Sequence, residues 1–552
     1  MAIKKSDLYS SLWATCDELR GGMDAGQYKD YVLFLLFIKY ISDKYGNSDD
    51  YRPAVLIPAG SSFKDMIALK GSADIGDKIN TQIIAPLIAA NEKLARSDFP
   101  DFNDSNKLGE GKDMVEKLSK RIGIFQNPVL DFSKNRAEHD DILGDAYEFL
   151  MRHFASESGK SKGQFYTPSE VSRILASVIG ISPKNTKAPC ILPHGVLFRG
   201  NAEAVIREQL VRSGILKGII GLPANLFYGT GIPACILVLD KENATARAGV
   251  FMVDASKAFI KDGNKNRLRE QDIHRIVDTF TRQIDTPRYA RMVPRSEVAD
   301  PKNGYNLNLP RYIDSSAPED LQDIDGHLRG GIPERDLDAF AADWQVFPGV
   351  RTALFASAGR PGYTSLKLPI ARVKPAILGH AEFTTYNHNV TVLFAKWRKA
   401  ITPRITGFGQ NDHPKELIHT VSEVLLAAFQ AVPLLDAYDI YQHLMDYWAA
   451  TLQDDAYLIA ADGWVPGAQP REIVQVKDKN SKLVWPEPHD YLLGKRRFQS
   501  DLVPARILAR RAGPCLPNPH RPHPRTGRTL RHTAAAAHRR GGNAGRARGG
   551  TP

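Results

Sequence analysis

Gly163-Gln164-Phe165-Tyr166-Thr167-Pro168-Ser169-Glu170 is the stretch whose reading decides the fold. It follows a polar run over 156–162 and leads into Val171, Ile174, Leu175, Val178 and Ile179, spaced for one face of a helix. Pro168 suits a first helical position and Thr167 the cap before it. Glu170 then stands three residues after Thr167, where a capping box places its acid. The stretch is predicted to open a helix. The free N–H groups of a helix end attract carboxylates or phosphates, although most sequences of this form are plain helix starts.

Upstream, 141–155 carries Ile142, Ala146, Leu150 and Phe154 on one helical face and delivers the chain to Gly163. Downstream the pattern turns α/β. A strand and turn are expected over 191–198, and a helix over 201–211 with Ala204, Val205 and Leu210 inward. Strands are expected at 216–222, 234–239 and 251–254, with a turn-rich loop, Asn225-Leu226-Phe227-Tyr228-Gly229-Thr230-Gly231-Ile232-Pro233, before the second of them. A helix follows over 272–283. Residues 318–331 are acidic, punctuated by glycine, and read as a linker. Beyond it, 333–343, 416–432 and 437–453 have helical periodicity around an irregular, Gly/Pro-rich middle. The acid-rich, aromatic run Asp436-Ala437-Tyr438-Asp439-Ile440-Tyr441-Gln442 needs no role beyond packing.

At the other end, Ser6 is placed to cap a helix with Leu8, Leu12, Cys16 and Leu19 on one face, which Gly21-Gly22 terminates. The segment 28–45 is apolar nearly all round and is predicted to be the centre of a helical bundle. Residues 47–73 read as irregular. Gly109-Glu110-Gly111-Lys112 lacks the first glycine and the hydroxyl of a phosphate loop, and reads as a turn.

With 552 residues, 43% of them hydrophobic, the chain should hold several domains. Met1-Ala2-Ile3-Lys4-Lys5 is followed by polar Ser6-Asp7, which is not the start of a signal peptide. The most apolar stretch, 32–38, is far short of the ~20 residues that span a bilayer. Cys16, Cys190, Cys235 and Cys515 have no spacing for zinc or a disulfide framework, so a cytoplasmic protein is expected. The formal charge of +11 is deceptive. Residues 503–552 hold eleven arginines, no lysine and no acid, and 11 less 11 leaves the remaining body neutral. The charge belongs to the tail and does not argue for a DNA-binding body. With few bulky apolar residues, the tail from about Arg506 should be disordered. Its composition changes abruptly after Asp501, as a shifted reading frame in a GC-rich gene would make it.

Gln164 to Ser169 after a glycine, and Ile191-Leu192-Pro193-His194-Gly195-Val196-Leu197-Phe198 after the helix, resemble the modification subunit of type I restriction–modification systems. So do Leu12-Trp13, Leu19-Arg20-Gly21, Tyr28-Lys29-Asp30-Tyr31-Val32-Leu33, the segment 221–240, and Asn306-Leu307-Asn308-Leu309-Pro310-Arg311-Tyr312-Ile313-Asp314. The resemblance implies an adenine-N6 DNA methyltransferase that uses S-adenosylmethionine. It implies assembly with a specificity subunit, a restriction subunit and a second modification subunit on double-stranded DNA. Gln164, Phe165, Tyr166, Thr167, Pro168 and Ser169 would border the methionine end of the cofactor, and Phe227 and Tyr228 would pack near a flipped adenine. A core anchor is an equal reading for these two aromatics. His194, beside Pro193 and Gly195, reads as structural, and Asp254 shows no partner for acid–base work.

The chain departs from that family where its chemistry lies. The family's Asp-Pro-x-Cys-Gly-Ser-Gly cofactor loop and its Asn-Pro-Pro-Phe motif, which holds the target adenine, occur nowhere in the 552 residues. Ser182-Pro183-Lys184-Asn185-Thr186-Lys187-Ala188 instead runs straight into Pro189-Cys190-Ile191. At ~30 residues per strand–helix–strand unit, on the order of a hundred residues are missing. The expected architecture is α/β. It comprises an N-terminal helical bundle (1–155), an incomplete Rossmann-like methyltransferase sheet without its central strands (156–315), a mostly helical region (332–500) and a disordered basic tail (505–552). Strands after Cys190 would lack their central neighbours, and an uncovered apolar edge invites aggregation.

Overall fold

The computed structural model describes residues 8–10, 12, 25–46, 55–126, 130–134, 144, 146–149, 167–180, 186–227, 230–263, 265–316, 321–477, 483–485, 489–493, 495–500 and 502. Gln164, Phe165, Tyr166 and Tyr228, most of the first predicted helix and of 141–155, and the 505–552 tail lie outside these residues. Among the described residues no helix is long and apolar enough to cross a membrane.

The N-terminal unit packs around α1 (Ala25–Tyr45), whose Tyr31, Val32, Leu35, Leu36, Ile38 and Ile41 are buried. Helix α2 (Lys112–Phe125) brings Met114, Leu118, Ile122 and Phe125 to the same core, one face at helical spacing. Phe102 packs edge-on against Tyr31, with 5.2 Å between ring centroids, and the Tyr31 hydroxyl donates to the Asp101 carbonyl at 2.8 Å. Part of the segment expected to be irregular forms the helix Phe63–Ala68. Ser62 Oγ accepts from the Asp65 N–H and the Asp65 carboxylate accepts from the Ser62 N–H, a reciprocal cap written in Ser62-Phe63-Lys64-Asp65. Gly109 and Gly111 take φ of 82° and 54°, making the predicted turn before α2. A fragment of residues 1 to 155 is expected to give a cooperative helical melt by circular dichroism; a non-cooperative one would show that this core needs the rest of the chain.

The central sheet has five strands in the order β1-β3-β2-β4-β7. These are β1 (Lys187–Pro193), β2 (Leu216–Gly221), β3 (Ala234–Asp240), β4 (Gly249–Asp254) and β7 (Ala290–Pro294), with a separate hairpin of β5 (Ile260–Asp262) and β6 (Lys265–Arg267). Only β2 and β4 pair in parallel within this sheet. Ile236 and Val238 of β3 face one layer, where α3 (Ser169–Ile179) and α5 (Glu270–Arg282) contribute Val171, Ile174, Ile276 and Phe280. Cys235 and Leu237 face the other, against Leu197, Val211, Leu307 and Leu309. Burial pushes the Cys235 thiol up to about 12, which leaves it inert.

Helix α4 (Ala202–Arg212) corrects an expectation. Val205 is 64% exposed, and the buried positions are Arg207 and Val211. Arg207 turns inward because it has acceptors there: its guanidinium donates to the carbonyls of Val196 at 2.8 Å and Tyr305 at 3.3 Å.

The C-terminal region differs most from expectation. Within the predicted linker, Asp323 caps a helix, Ile324–Arg329, by accepting from the Gly326 N–H at 2.7 Å. The supposedly irregular middle contains α6 (Ala381–Gly407) and two strands, Phe355–Ser357 and Tyr363–Leu366, of a three-stranded sheet whose third strand, Ile332–Pro333, stands where the helix over 333–343 was expected to begin. Trp397 and Ile401 of α6 pack on Val421, Leu425 and Phe429 of α7 (Pro414–Phe429). Helix α8 (Ala437–Tyr447) continues through a π-helical turn, Trp448–Leu452, into α9 (Gln453–Asp462).

A polar seam joins α5 to α7 and α8. The Gln271 side chain donates to Asp439 at 2.7 Å, His274 meets Glu423 at 2.6 Å, Arg275 pairs with Asp436 at 3.1 Å, and the Tyr438 hydroxyl donates to Asp278 at 2.7 Å. Arg275 also lies over the rings of Tyr289 and Tyr438. The run 436–442 is thus the docking strip for the sheet's covering helix.

Asp240 ends β3 and is nearly fully buried. Its carboxylate accepts from Thr186 Oγ1 at 2.8 Å, Lys217 Nζ at 3.1 Å and the Glu242 N–H at 3.0 Å. Burial alone would raise its pKa, but these donors together hold it below the usual carboxylate range. A depressed folded-state pKa gives stability that is present above about pH 4 and lost as pH falls through the folded value. Asp240→Ala is expected to destabilise the chain by about 3 kcal/mol at neutral pH, by leaving buried donors unmatched, and to flatten the acid limb of stability. Urea titrations from neutral to acid pH check both.

Candidate functional site

The parallel pair β2–β4 sets one end of the sheet as the place for a site, since ligands of α/β sheets bind beyond the carboxyl ends of their strands. The register places Gly221 opposite Asp254 and Cys235, and Pro193 opposite Ala234. His194, Leu222, Pro233 and Asp254 therefore gather at that end.

Most of their polar groups are taken up by the chain itself. Asp254 Oδ2 accepts from Ser315 Oγ at 2.6 Å and Oδ1 from the Ser256 N–H at 3.0 Å. The Lys257 ammonium donates to the Ser315 carbonyl and holds that segment in place. Asp254 thus has partners that the sequence did not suggest, and both lie far from the pattern around it or just beyond the strand. Burial holds the His194 imidazole below its ordinary value, opposed by the Asp254 carboxylate. A lowered pKa keeps the ring neutral at pH 7. Leu309 Cδ1 sits against Gly221 and leaves no room there for a Cβ.

The helix start at Thr167-Pro168-Ser169 is shifted by one residue from the expected cap. Pro168, at ψ 141°, is itself the N-cap, no side chain caps the helix, and Ser169 is the first helical residue. The Pro168 carbonyl accepts from the N–H groups of Val171 and Ser172 at 3.0 Å each. Extended ψ at a proline suits the boundary residue better than the first turn. Arg173, one turn on, forms a two-bond pair with Glu270 at 2.7 Å and ties α3 to α5.

Phe227 is half-buried and packs against the core beneath the sheet. Its loop is gripped by the β5–β6 hairpin. Lys265 Nζ donates to the carbonyls of Phe227 at 3.0 Å and Thr230 at 3.1 Å, and Asn266 Nδ2 donates to the Ala224 carbonyl at 2.6 Å. This clamp was missed in the sequence. Its signal was Gly263-Asn264, a two-residue hairpin connection between paired Asp262 and Lys265, with Gly263 at φ 61°. Among the described residues no group of His, Cys, Asp and Glu is placed to hold a metal ion. Lys265→Met is expected to lower stability by about 1–2 kcal/mol through the lost charged donor. It should also speed amide exchange in the loop between Ala224 and Pro233, read by mass spectrometry.

The family model described as N-6 DNA Methylase matches this chain in two pieces, residues 138–188 and 176–321. The chain is similar to the methylase subunit of the type I restriction enzyme MpnII of Mycoplasma pneumoniae, at 22% identity over 509 positions, covering 58% of this chain and 92% of that protein. It is similar to the methylase subunit of the type I restriction enzyme MjaVII of Methanocaldococcus jannaschii at 35% identity, over 25% of this chain and 24% of that protein. A solved methyltransferase subunit of a type I restriction-modification system from Streptococcus thermophilus superposes with a TM-score of 0.48 at 22% identity, over 57% of this chain and all of that one.

Proposed function

We propose that this chain, which belongs to the N-6 DNA methylase family together with the methylase subunits of type I restriction enzymes, is a non-catalytic form of such a subunit. The observation that carries this reading is the junction between α3 and β1. Helix α3 ends at Ile179, β1 begins at Lys187, and β1 is the last strand of its sheet. In the family the cofactor loop and the adenine-holding motif belong between those two elements, and neither motif is present in this sequence. The two pieces of the family match meet at the same place, 176–188. The match to the Mycoplasma subunit supports it further. It spans 509 positions but 58% of 552 residues, about 320, so 509 less 320 leaves about 190 positions largely without a counterpart here.

S-adenosylmethionine needs a glycine turn that lets backbone approach it, and free acceptors for its ribose and amine. The described residues do not supply these: no Gly-rich cofactor loop stands at the strand ends, Leu309 packs against Gly221, and each oxygen of Asp254 already accepts one bond from within the chain. Among the described residues what remains of the cofactor stretch is Thr167 to Ser169 at the start of α3, and an exposed helix end contributes about 0.3–1 kcal/mol toward a carboxylate. Micromolar binding requires about 8 kcal/mol.

The role left to the chain is assembly, with its helical N-terminal unit contributing a DNA clamp alongside specificity, restriction and further modification subunits. Its own packed core supports that reading. Co-purification with specificity and restriction subunits separates such a role from that of a deleted, frameshifted product without function.

Calorimetric titration of the purified chain with S-adenosylmethionine is expected to show no saturable binding. Tritiated methyl transfer to DNA, with a cognate specificity subunit present, is expected to stay at the no-protein level. Micromolar binding, or methylated adenine above that control, would overturn the reading.

A further inference from the structure

The outer edge of β1 is built differently from an open strand edge. In an antiparallel ladder, pairs that exchange hydrogen bonds alternate with pairs whose backbone groups turn outward. The His194 N–H donates to the Pro233 carbonyl at 3.0 Å, and the Lys241 N–H donates to the Thr186 carbonyl at 3.2 Å. Both contacts fall on the β1–β3 register, which pairs Lys187 with Asp240 and Pro193 with Ala234. Thr186, Ala188, Cys190, Leu192 and His194 therefore direct their backbone groups at β3. The backbone groups of Lys187, Pro189, Ile191 and Pro193 face the other way.

Proline has no N–H, and its ring carbon stands where the amide hydrogen would be. Of those four outward positions only Lys187, at the start of the strand, and Ile191, between the two prolines, have an N–H to donate. A strand arriving at this edge would meet a pyrrolidine ring two residues before Ile191 and another two residues after it. The side chains of Cys190, Ile191 and Leu192, all half-buried, would otherwise make a short apolar segment suited to pairing. Prolines are confined to edge strands because they forfeit ladder bonds. Here the forfeited bonds all lie on the side away from β3, so the seven-residue pairing with β3 is untouched.

We propose that Pro189 and Pro193 close the sheet at β1, so that it accepts no further strand, whether from a second copy of this chain or from another protein. The device needs no cofactor or substrate and stands apart from the question of catalysis. It also reverses the expectation that an edge stripped of its neighbours makes the chain aggregate: the five strands form a finished unit.

The test compares the full chain with its Pro189→Val/Pro193→Val variant by light scattering after gel filtration, thioflavin fluorescence, and amide exchange of the peptide spanning 186–194. The wild type is expected to keep one mass over a wide concentration range, with a readily exchanging Ile191 amide. The variant is expected at least to double in mass, or to gain fluorescence with time, with protection at 189, 191 and 193. Pro189→Ala/Pro193→Ala restores the same N–H groups with small side chains. It is read in the same way if the valine pair disturbs the fold by circular dichroism. Folded variants that keep the wild-type mass and exchange would overturn the proposal. So would a wild type that associates with its own Ile191 amide protected.

Discussion

Strand β3 is hydrogen-bonded along both edges, to β1 and to β2, and sends alternate side chains into two apolar layers. A slip of one residue would exchange Ile236 and Val238 with Cys235 and Leu237 and move each set to the wrong layer. The register is held at one end by Asp240, with its donors from Thr186, Lys217 and Glu242. At the other end it is held by the bond from His194 to Pro233. Everything at the functional end of the sheet inherits its position from that ladder, including the approach of Leu309 to Gly221.

The parts legible in the sequence were those where local pattern and tertiary burial agree. The bundle centre in α1, the strands 216–222 and 234–239, and α5 were all readable because their apolar positions repeat at the period of the element they form. What was not legible depended on distant partners. Arg207 looks like a surface residue until the carbonyls of Val196 and Tyr305 are brought to it. Asp254 looks alone until Ser315 arrives from beyond the sheet. Helix α6 was hidden by Thr384, Thr385, Asn387, His388 and Asn389, which are weak helix formers. Its spacing of Leu393, Trp397, Ile401 and Ile405 carried the signal, and packing on α7 overrides the propensity. The residues of the candidate site were named from resemblance and not from local pattern, and what the structure adds is the packing of Phe227 against the core and the hairpin that grips its loop.

Loss of catalytic motifs need not mean loss of a folded protein. The residues at the strand ends satisfy one another: serine on aspartate, lysine on carbonyl, leucine against glycine. Such self-satisfaction lowers the penalty that a vacant polar cleft would impose.

The seam between α5 and the C-terminal helices is made mainly of charged and hydrogen-bonded pairs, with Tyr438 and Tyr441 as its aromatic contribution. Several of these pairs are partly exposed, so the attraction across it is screened by salt over a distance of about 8–10 Å. The cores on either side are apolar and indifferent to ionic strength at that level. Salt therefore weakens the joint more than the bodies it joins, leaving the ring contacts of Tyr438 and Tyr441 with His274 to hold the helices on the sheet at high ionic strength.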